Sequence, residues 1–533
     1  MTFIFLKLFS SKEKLQRVIF FRIVPTIFLL AFYFLLYKIY IPRVNAFGCF
    51  DDCNNFIAGY FLLKGKLLFS QIFFNHNPLM AYLSMFVQLF TNPQNIYELI
   101  LRHRQFLLLF GLFFNLLLIG RFGLAAFGFA IFFELSKFYL FGDRFLAEGF
   151  IVYPLVYLVG LVWTKSLREK LYIFDYFLSA IFTWFIIFMR EPYIPIALLL
   201  LGYILLSKKS KKVSILSFGL FFSLSLIAIF GHNVSEFFFN VYTTNIGINF
   251  LGEINSNEMG GIGIWKVFLY PILALFSATK DGAFPILLAL LSALFLLSTA
   301  LLVKFRKIKL VFLIWLILGF ANFRYVSPGQ TFYAAFHLLI WYGIFIFSSF
   351  MMILYIYKKN RNLSYILIFL YAVVLIYIIL LPSFFIYEKV DPQRDLITNY
   401  GRQMQAGEVV KSISKPNDTL FLDGFDDIIY WQAQRVSSYK YSWYTSLMPY
   451  FKKYKDARLE MFKNSPPDFY YGSCPKEKDV NKLLPEFAKN NYTRLYSDRQ
   501  PSCLWVRKEK IESITKKQWE KAKENLYYLP PEL

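Results

Sequence analysis

From Ile19 to Ile41 the chain is apolar apart from Arg22 and Lys38, and runs of similar length recur along it. A bilayer core takes about 20 consecutive apolar residues in a helix, so a chain with many such runs, joined by short basic loops, is a polytopic membrane protein. A composition of 57% hydrophobic and 21% aromatic residues agrees, and no soluble core needs so many runs of this length. The first run is too long for a signal-peptide core and has no small-residue cleavage site after it. It reads as a retained anchor.

The hydropathy pattern predicts about eleven spans, near 19–41, 101–120, 122–138, 147–164, 172–189, 192–206, 213–231, 283–303, 309–323, 332–357 and 364–382. An odd number places the termini on opposite sides. The formal charge of +23 has a local origin: up to Phe384 there are 32 Lys+Arg against 14 Asp+Glu, and from Phe385 onward 25 against 20. The basic segments Lys12–Arg17, 165-KSLREK-170, 207-SKKSKK-212, 304-KFRKIK-309 and 358-KKNRN-362 fall on one side of this threading. The positive-inside rule assigns that side to the cytoplasm, with the N-terminus. Short basic clusters alternating with spans do not make a nucleic-acid surface.

The other face then receives loops 42–100 and 232–282, the hairpin 139–148, the turn 324–331 and everything after Phe385. Ten of the fourteen acidic residues before Phe385 land there: Asp51, Asp52, Glu98, Asp143, Glu148, Glu191, Glu236, Glu253, Glu258 and Asp281. Positive-inside gives acids little weight, so this gathering asks for another cause. An extracytoplasmic active site supplies one.

Cys49, Cys53, Cys474 and Cys503 all fall on the outer side, where thiols oxidise. Cys474 and Cys503 are expected to pair within the tail. Cys49 and Cys53 flank the Asp pair and either bridge or stay reduced, since an i,i+4 pair on a continuous helix is poorly placed for a disulfide. The tail alternates 408-EVVKSI-413 (helix), 419-TLFLDG-424 (strand), 466-PPDFYYG-472 (strand), 480-VNKLLPEFAKN-490 (helix) and 502-SCLWVRKE-509 (strand). The expected architecture is a membrane domain over 1–384 and a small extracytoplasmic α/β domain over 385–533. No internal repeat of the transporter kind is evident.

The richest stretch for chemistry is 50-FDDCNNFIAGYFLLKGKLLFSQIFFNHNPLMAYL-83. Residues 55–63 and 79–90 have helix-compatible apolar patterns too short to span, and read as interfacial helices on the outer leaflet. Asp51 and Asp52 then sit where a span, two surface helices and solvent meet. Such a pair can act as general base, bind a divalent cation together with His76, or simply be solvated. A lone His beside a Pro turn also hydrogen-bonds the turn.

This stretch resembles the first-loop signature of the polyprenyl-phosphate-sugar-dependent membrane glycosyltransferases of the protein O-mannosyltransferase and aminoarabinose-transferase type, in the GT-C superfamily. That signature runs Asp-Glu, a small residue, a Gly, an aromatic, and a His/Lys-Pro-Pro-Leu turn. Here Asp51, Asp52, Gly59, Gly65, Phe69 and 76-HNPL-79 hold those places, with Asp52 replacing the usual Glu and Asn77 the first Pro. The segment 141-FGDRFLAEGFIVYPLV-156 resembles the second outer hairpin, with Asp143 and Glu148 matching, and 322-NFRYVSPGQTFYAAFHLLIW-341 resembles a turn that approaches the lipid phosphate, with Arg324 matching. The likeness is strongest over 51–83 and weakest over 322–341.

The resemblance implies an inverting enzyme that moves a monosaccharide from a polyprenyl-phosphate donor to a hydroxyl on a lipid, glycan or protein acceptor at the outer face. It implies Asp51 as the base, Asp52, Glu148, Asp143 and His76 as orienting or acceptor-binding groups, and Arg324, with Arg190 as second candidate, as lipid-phosphate partners. Arg324 is also a plausible headgroup anchor, and Arg190 with Glu191 a plausible local ion pair. Glu134 falls inside the predicted span 122–138, where a carboxylate is costly, with Lys137 one turn on as its natural partner. Two other classes fit the composition: a lipid-linked-saccharide flippase, which would spread ionisable residues through its spans, and a non-catalytic cell-envelope assembly protein.

Overall fold

The computed structural model describes residues 19–41, 51–206, 211–245, 264–279, 283–322, 334–380, 392–424, 428–442, 451–478 and 483–530. It is mostly helical, with a small C-terminal sheet. Among the described residues, seven helices are long and apolar enough to cross a membrane: Ile19–Tyr40, Ile96–Phe122, Ala147–Ser166, Lys211–Phe230, Ala283–Lys304, Ala335–Lys359 and Arg361–Leu380.

The four other predicted spans are helices too, but shorter: Leu124–Ser136, Ile173–Met189, Ile194–Leu205 and Ile308–Ala321. Local breaks set their ends. Gly123, at φ 60°, separates Ile96–Phe122 from Leu124–Ser136, and the extended Arg190 with the Glu191–Tyr193 3₁₀ turn separates the next pair.

The chain forms two compact units. The first comprises Met1–Val44, Arg104–Leu226 and Asn257–Lys389. Its centre is Ala147–Ser166, whose apolar window is wholly buried, packed against Ala335–Lys359. The two helices meet closely: a Cβ on Gly343 would lie 2.2 Å from Val152 Cγ2. Close approach at small residues is how helices pack where lipid, rather than water, surrounds them. Outer helices bury little of themselves, 22% of the window in Ile19–Tyr40 and 28% in Arg361–Leu380, and leave side chains such as Phe28, Phe34 and Phe369 exposed. Apolar surface on this scale is stable only against hydrocarbon, so the protein is an integral membrane protein.

The second unit comprises Asn45–His103, Ile227–Ser256 and Val390–Leu533. Its sheet has five strands, β1 (Leu420–Leu422), β2 (Phe469–Tyr471), β3 (Tyr492–Ser497), β4 (Gln500–Arg507) and β5 (Tyr527–Tyr528), in the order β1-β2-β4-β3-β5. β1 and β2 run parallel and the other pairs antiparallel. The α/β pattern of the tail is therefore present, but of the expected helix over 480–490 only Glu486–Lys489 is helical among the described residues, beginning after Pro485. Sequence reading missed β3, β5 and the helices Lys452–Asn464 and Lys516–Glu524, which are strongly polar on their outer faces and carry little apolar signal. Cys474 and Cys503, 29 residues apart, are joined by a disulfide near the end of β2 and within β4.

The first loop is folded into this unit. Phe73 sits in the tail's aromatic core with Phe421, Tyr454 and Tyr470. Lys66 Nζ donates to Ser437 O at 2.9 Å and Ser442 Oγ at 2.8 Å, and Trp431 Nε1 donates to Gln88 Oε1 at 3.1 Å. The 227–256 segment joins as well. Asn240 accepts from Tyr454 OH at 3.0 Å and donates to Phe69 O at 3.3 Å, while Glu236 pairs with Lys453.

Candidate active-site residues

The signature positions of the first loop build a helical hairpin, Asp52–Leu63 against Leu79–Thr91. At Gly59 the helices touch: a Cβ would lie 2.6 Å from both Met85 N and Ser84 Oγ. Gly65, at φ 80°, closes the first helix, with Gly65 N donating to Leu62 O and Lys66 N to Phe61 O, both at 3.0 Å. This is a Schellman end, which needs a left-handed residue just past the helix. Phe69 takes φ 67° and packs edge-on against His232 and Phe237. Pro78 then leads into Leu79–Thr91.

Asp51 and Asp52 open this hairpin. Asp51 occupies the N-cap, but its carboxylate is exposed and is not turned back to cap the helix. Asp52 is fully buried in the first turn, where the helix dipole favours an anion. One carboxylate faces outward and its neighbour is held inside. His76 is half-buried, edge-on to Phe74 at 6.0 Å, and next to the buried Asn77. No cluster of three or more His, Cys, Asp or Glu side chains suited to a metal occurs among the described residues. Cys53 is disulfide-bonded; Cys49 lies outside the described residues.

In the membrane unit, Glu148 and Arg190 come together. Glu148 enters from the first turn of Ala147–Ser166, and its Oε1 lies 3.5 Å from Arg190 Nε at the end of Ile173–Met189. His337 Nδ1 lies 3.5 Å from the same oxygen, and Tyr193 OH donates to it at 3.3 Å. Glu148 and Tyr193 are fully buried and Arg190 nearly so. The Arg190 guanidinium also lies 6.0 Å from the Phe336 ring centre. A buried carboxylate with a guanidinium, an imidazole and a phenol around it is a compact polar cluster in which the charge has partners.

Asp143 is buried beside Arg144, Oδ2 to Nε 3.6 Å. Arg324 lies outside the described residues. His337 was not singled out in the sequence, although it stands in the 322–341 stretch from which Arg324 was taken. Its sole signal was being one of four histidines in the chain, and no periodicity points to it.

Comparison with protein-family models, curated proteins and solved structures gives no match to this chain.

Proposed function

We propose that this protein is an inverting glycosyltransferase of the GT-C kind, transferring a monosaccharide from a polyprenyl-phosphate donor to an acceptor hydroxyl at the extracytoplasmic face. The observation that carries the reading is the first-loop hairpin. Gly59, Gly65, Phe69 and Pro78 of the resemblance each have a structural task there, and the hairpin leaves Asp51 exposed at its mouth with Asp52 buried behind it. Asp51 acts as base on the acceptor hydroxyl, and Asp52 and His76 shape its surroundings. The resemblance makes Arg190 and Arg324 the lipid-phosphate partners; within the membrane unit Glu148 lies against the Arg190 guanidinium, and an Arg fork matches phosphate oxygens.

The transfer balances without a co-reactant. The acceptor oxygen bonds to the anomeric carbon as the bond to the phosphate oxygen breaks, the hydroxyl proton passes to Asp51, and the lipid phosphate leaves with the electron pair.

Co-folding of 45–103, 227–256 and the tail calls for an odd number of the shorter helices to cross in each interval, a condition that the eleven-span threading meets. These segments must share one side of the membrane, so an even number of crossings separates each from the next. The seven long helices alone place three crossings in each interval, an odd number. Adding Leu124–Ser136, Ile173–Met189 and Ile194–Leu205 to the first interval makes six, and adding Ile308–Ala321 to the second makes four. Short helices cross where the bilayer thins or flanking residues snorkel. With the basic loops inside, the N-terminus is cytoplasmic and the second unit extracytoplasmic.

The test is sugar transfer by purified protein in nanodiscs, supplied with polyprenyl-phosphate-monosaccharides in turn. Transfer from one donor, lost in Glu148→Gln with the fold intact, supports the reading. A folded protein that moves intact lipid-linked saccharide between leaflets and transfers no sugar overturns it in favour of a flippase.

A further inference from the structure

At the far end of the Asp52–Leu63 helix, within the second unit, lies a cleft of about 370 Å³. Tyr60, Leu63 and Lys64 line it from that helix, Gln88, Asn92, Pro93 and Gln94 from the second hairpin helix and its exit, and Lys411, Trp431, Gln432 and Gln434 from the tail. Its wall is amide-rich and carries two ammonium groups, Lys64 and Lys411, with no carboxylate among the described lining residues; Lys411 Nζ lies 3.8 Å from Glu408, which does not line the cleft, so Lys64 is the less compensated charge.

Several of these amides are held in place. Gln88 accepts from Trp431 Nε1 at 3.1 Å and donates to Phe56 O at 2.7 Å. Gln434 Nε2 donates to Trp431 O at 2.7 Å, and Gln94 Nε2 to Asn92 O at 2.7 Å. Gln432 is the telling residue. It is 6% exposed, its Nε2 donates to Glu408, and its side-chain stem packs where a Cβ on Gly407 would lie 2.5 Å away. With the amide nitrogen committed, Oε1 is fixed in direction, yet it is buried with no hydrogen-bond partner among the described residues. A buried acceptor left unpaired costs free energy that a donor from a ligand recovers.

We infer that this cleft binds an acidic saccharide, its hydroxyls donating to Gln432 Oε1 and exchanging hydrogen bonds with the surrounding amides, its carboxylate facing Lys64 and Lys411. Fixed amides suit a polyhydroxylated ligand, because each presents a donor and an acceptor in one plane. The two ammonium groups select for negative charge, and as exposed charges they contribute selectivity more than affinity.

From Asp52 to Tyr60 and Leu63, which line the cleft, the helix rises about 12–17 Å at 1.5 Å per residue. An oligosaccharide of several residues covers that length. On the reading proposed above, the cleft therefore grips the distal part of a glycan acceptor whose reacting hydroxyl reaches Asp51. Binding itself is independent of that reading.

The experiment is calorimetric titration of the full-length protein in nanodiscs with tetragalacturonate, and with maltotetraose as the neutral control. Tetragalacturonate is expected to bind more tightly than maltotetraose. Gln432→Leu should weaken both by about tenfold, the loss of one buried hydrogen bond. Lys411→Glu, a change at an exposed side chain that leaves the core untouched, should weaken tetragalacturonate alone and remove the preference. Binding of neither sugar, or binding that both variants leave unchanged, overturns the inference. Either result leaves sugar transfer measurable in the same preparation, so failure here is distinguishable from failure of the proposed activity.

Discussion

Lys137 Nζ lies 2.7 Å from Glu134 Oε2 in the interior of the membrane unit, with both side chains fully enclosed. The pair is completed by Tyr153 OH and Asn115 Nδ2, which donate to Glu134 Oε1 at 2.6 and 3.0 Å, and Asn115 also donates to Tyr33 OH at 2.8 Å. Three helices, Ile19–Tyr40, Ile96–Phe122 and Ala147–Ser166, thereby converge on one carboxylate beside Leu124–Ser136. A charge this deep is kept only where it is paired.

Removing one partner strands the other. Glu134→Gln or Lys137→Met alone is expected to destabilise the membrane unit by about 3 kcal/mol, and the double variant by less than the sum of the two, because it leaves no bare charge. Thermal unfolding of the four proteins in one detergent measures the coupling. Additive losses would show that the pair does not act as a unit.

Gly59 carries the packing of the first-loop hairpin. In Gly59→Ala the new methyl meets Met85 N and Ser84 Oγ at 2.6 Å, and backbone cannot step aside. The helices must part, at about 1–3 kcal/mol, and the Trp431 to Gln88 bond loosens with them. A lower unfolding temperature, with tryptophan emission shifted to the red, is the expected outcome.

Lys66 gives a pH signature. Burial lowers its ammonium from the usual value near 10.5 to about 8. Between those values the unfolded chain holds a proton that the folded chain has released, so stability rises with pH across this window. The stability of wild type relative to Lys66→Met should accordingly rise from pH 8 to pH 10, read by thermal unfolding at fixed ionic strength. A relative stability that falls over that range would contradict the assignment.

Topology is open to labelling. A cysteine placed at Lys440, in the second unit, should react with a membrane-impermeant maleimide on intact cells. One placed at Glu169, in the basic loop after Ala147–Ser166, should react only after permeabilisation. The reverse pattern would invert the threading.

The hydrophobic pattern made the membrane class legible, because a run of 20 apolar residues has few other uses. It overstated the length of segments such as 192–206, where the Arg190-Glu191-Pro192 break and Leu205 confine the helix to fewer residues than the apolar run. The two hairpin helices could be read from their apolar patterns, and Gly65 and Pro78 mark their ends as residue types demanded by local backbone geometry; that Gly59 is the point of contact depends on the helix facing it. His337 and Gln432 could not be read in this way. Their roles depend on what faces them across the fold, Glu148 in one case and Glu408 with Gly407 in the other, and no local pattern records such a partner.

The central claim rests on Asp51, and one comparison tests it most directly: sugar transfer by wild type and by Asp51→Asn, with the donor that wild type accepts. Asp51 is exposed at the helix start, so the substitution leaves packing undisturbed and folding can be verified by an unchanged unfolding temperature. Loss of a general base is expected to cut the rate by about 10²–10⁴-fold, while binding of the lipid-linked donor is retained. Equal transfer by the two folded proteins would contradict the account.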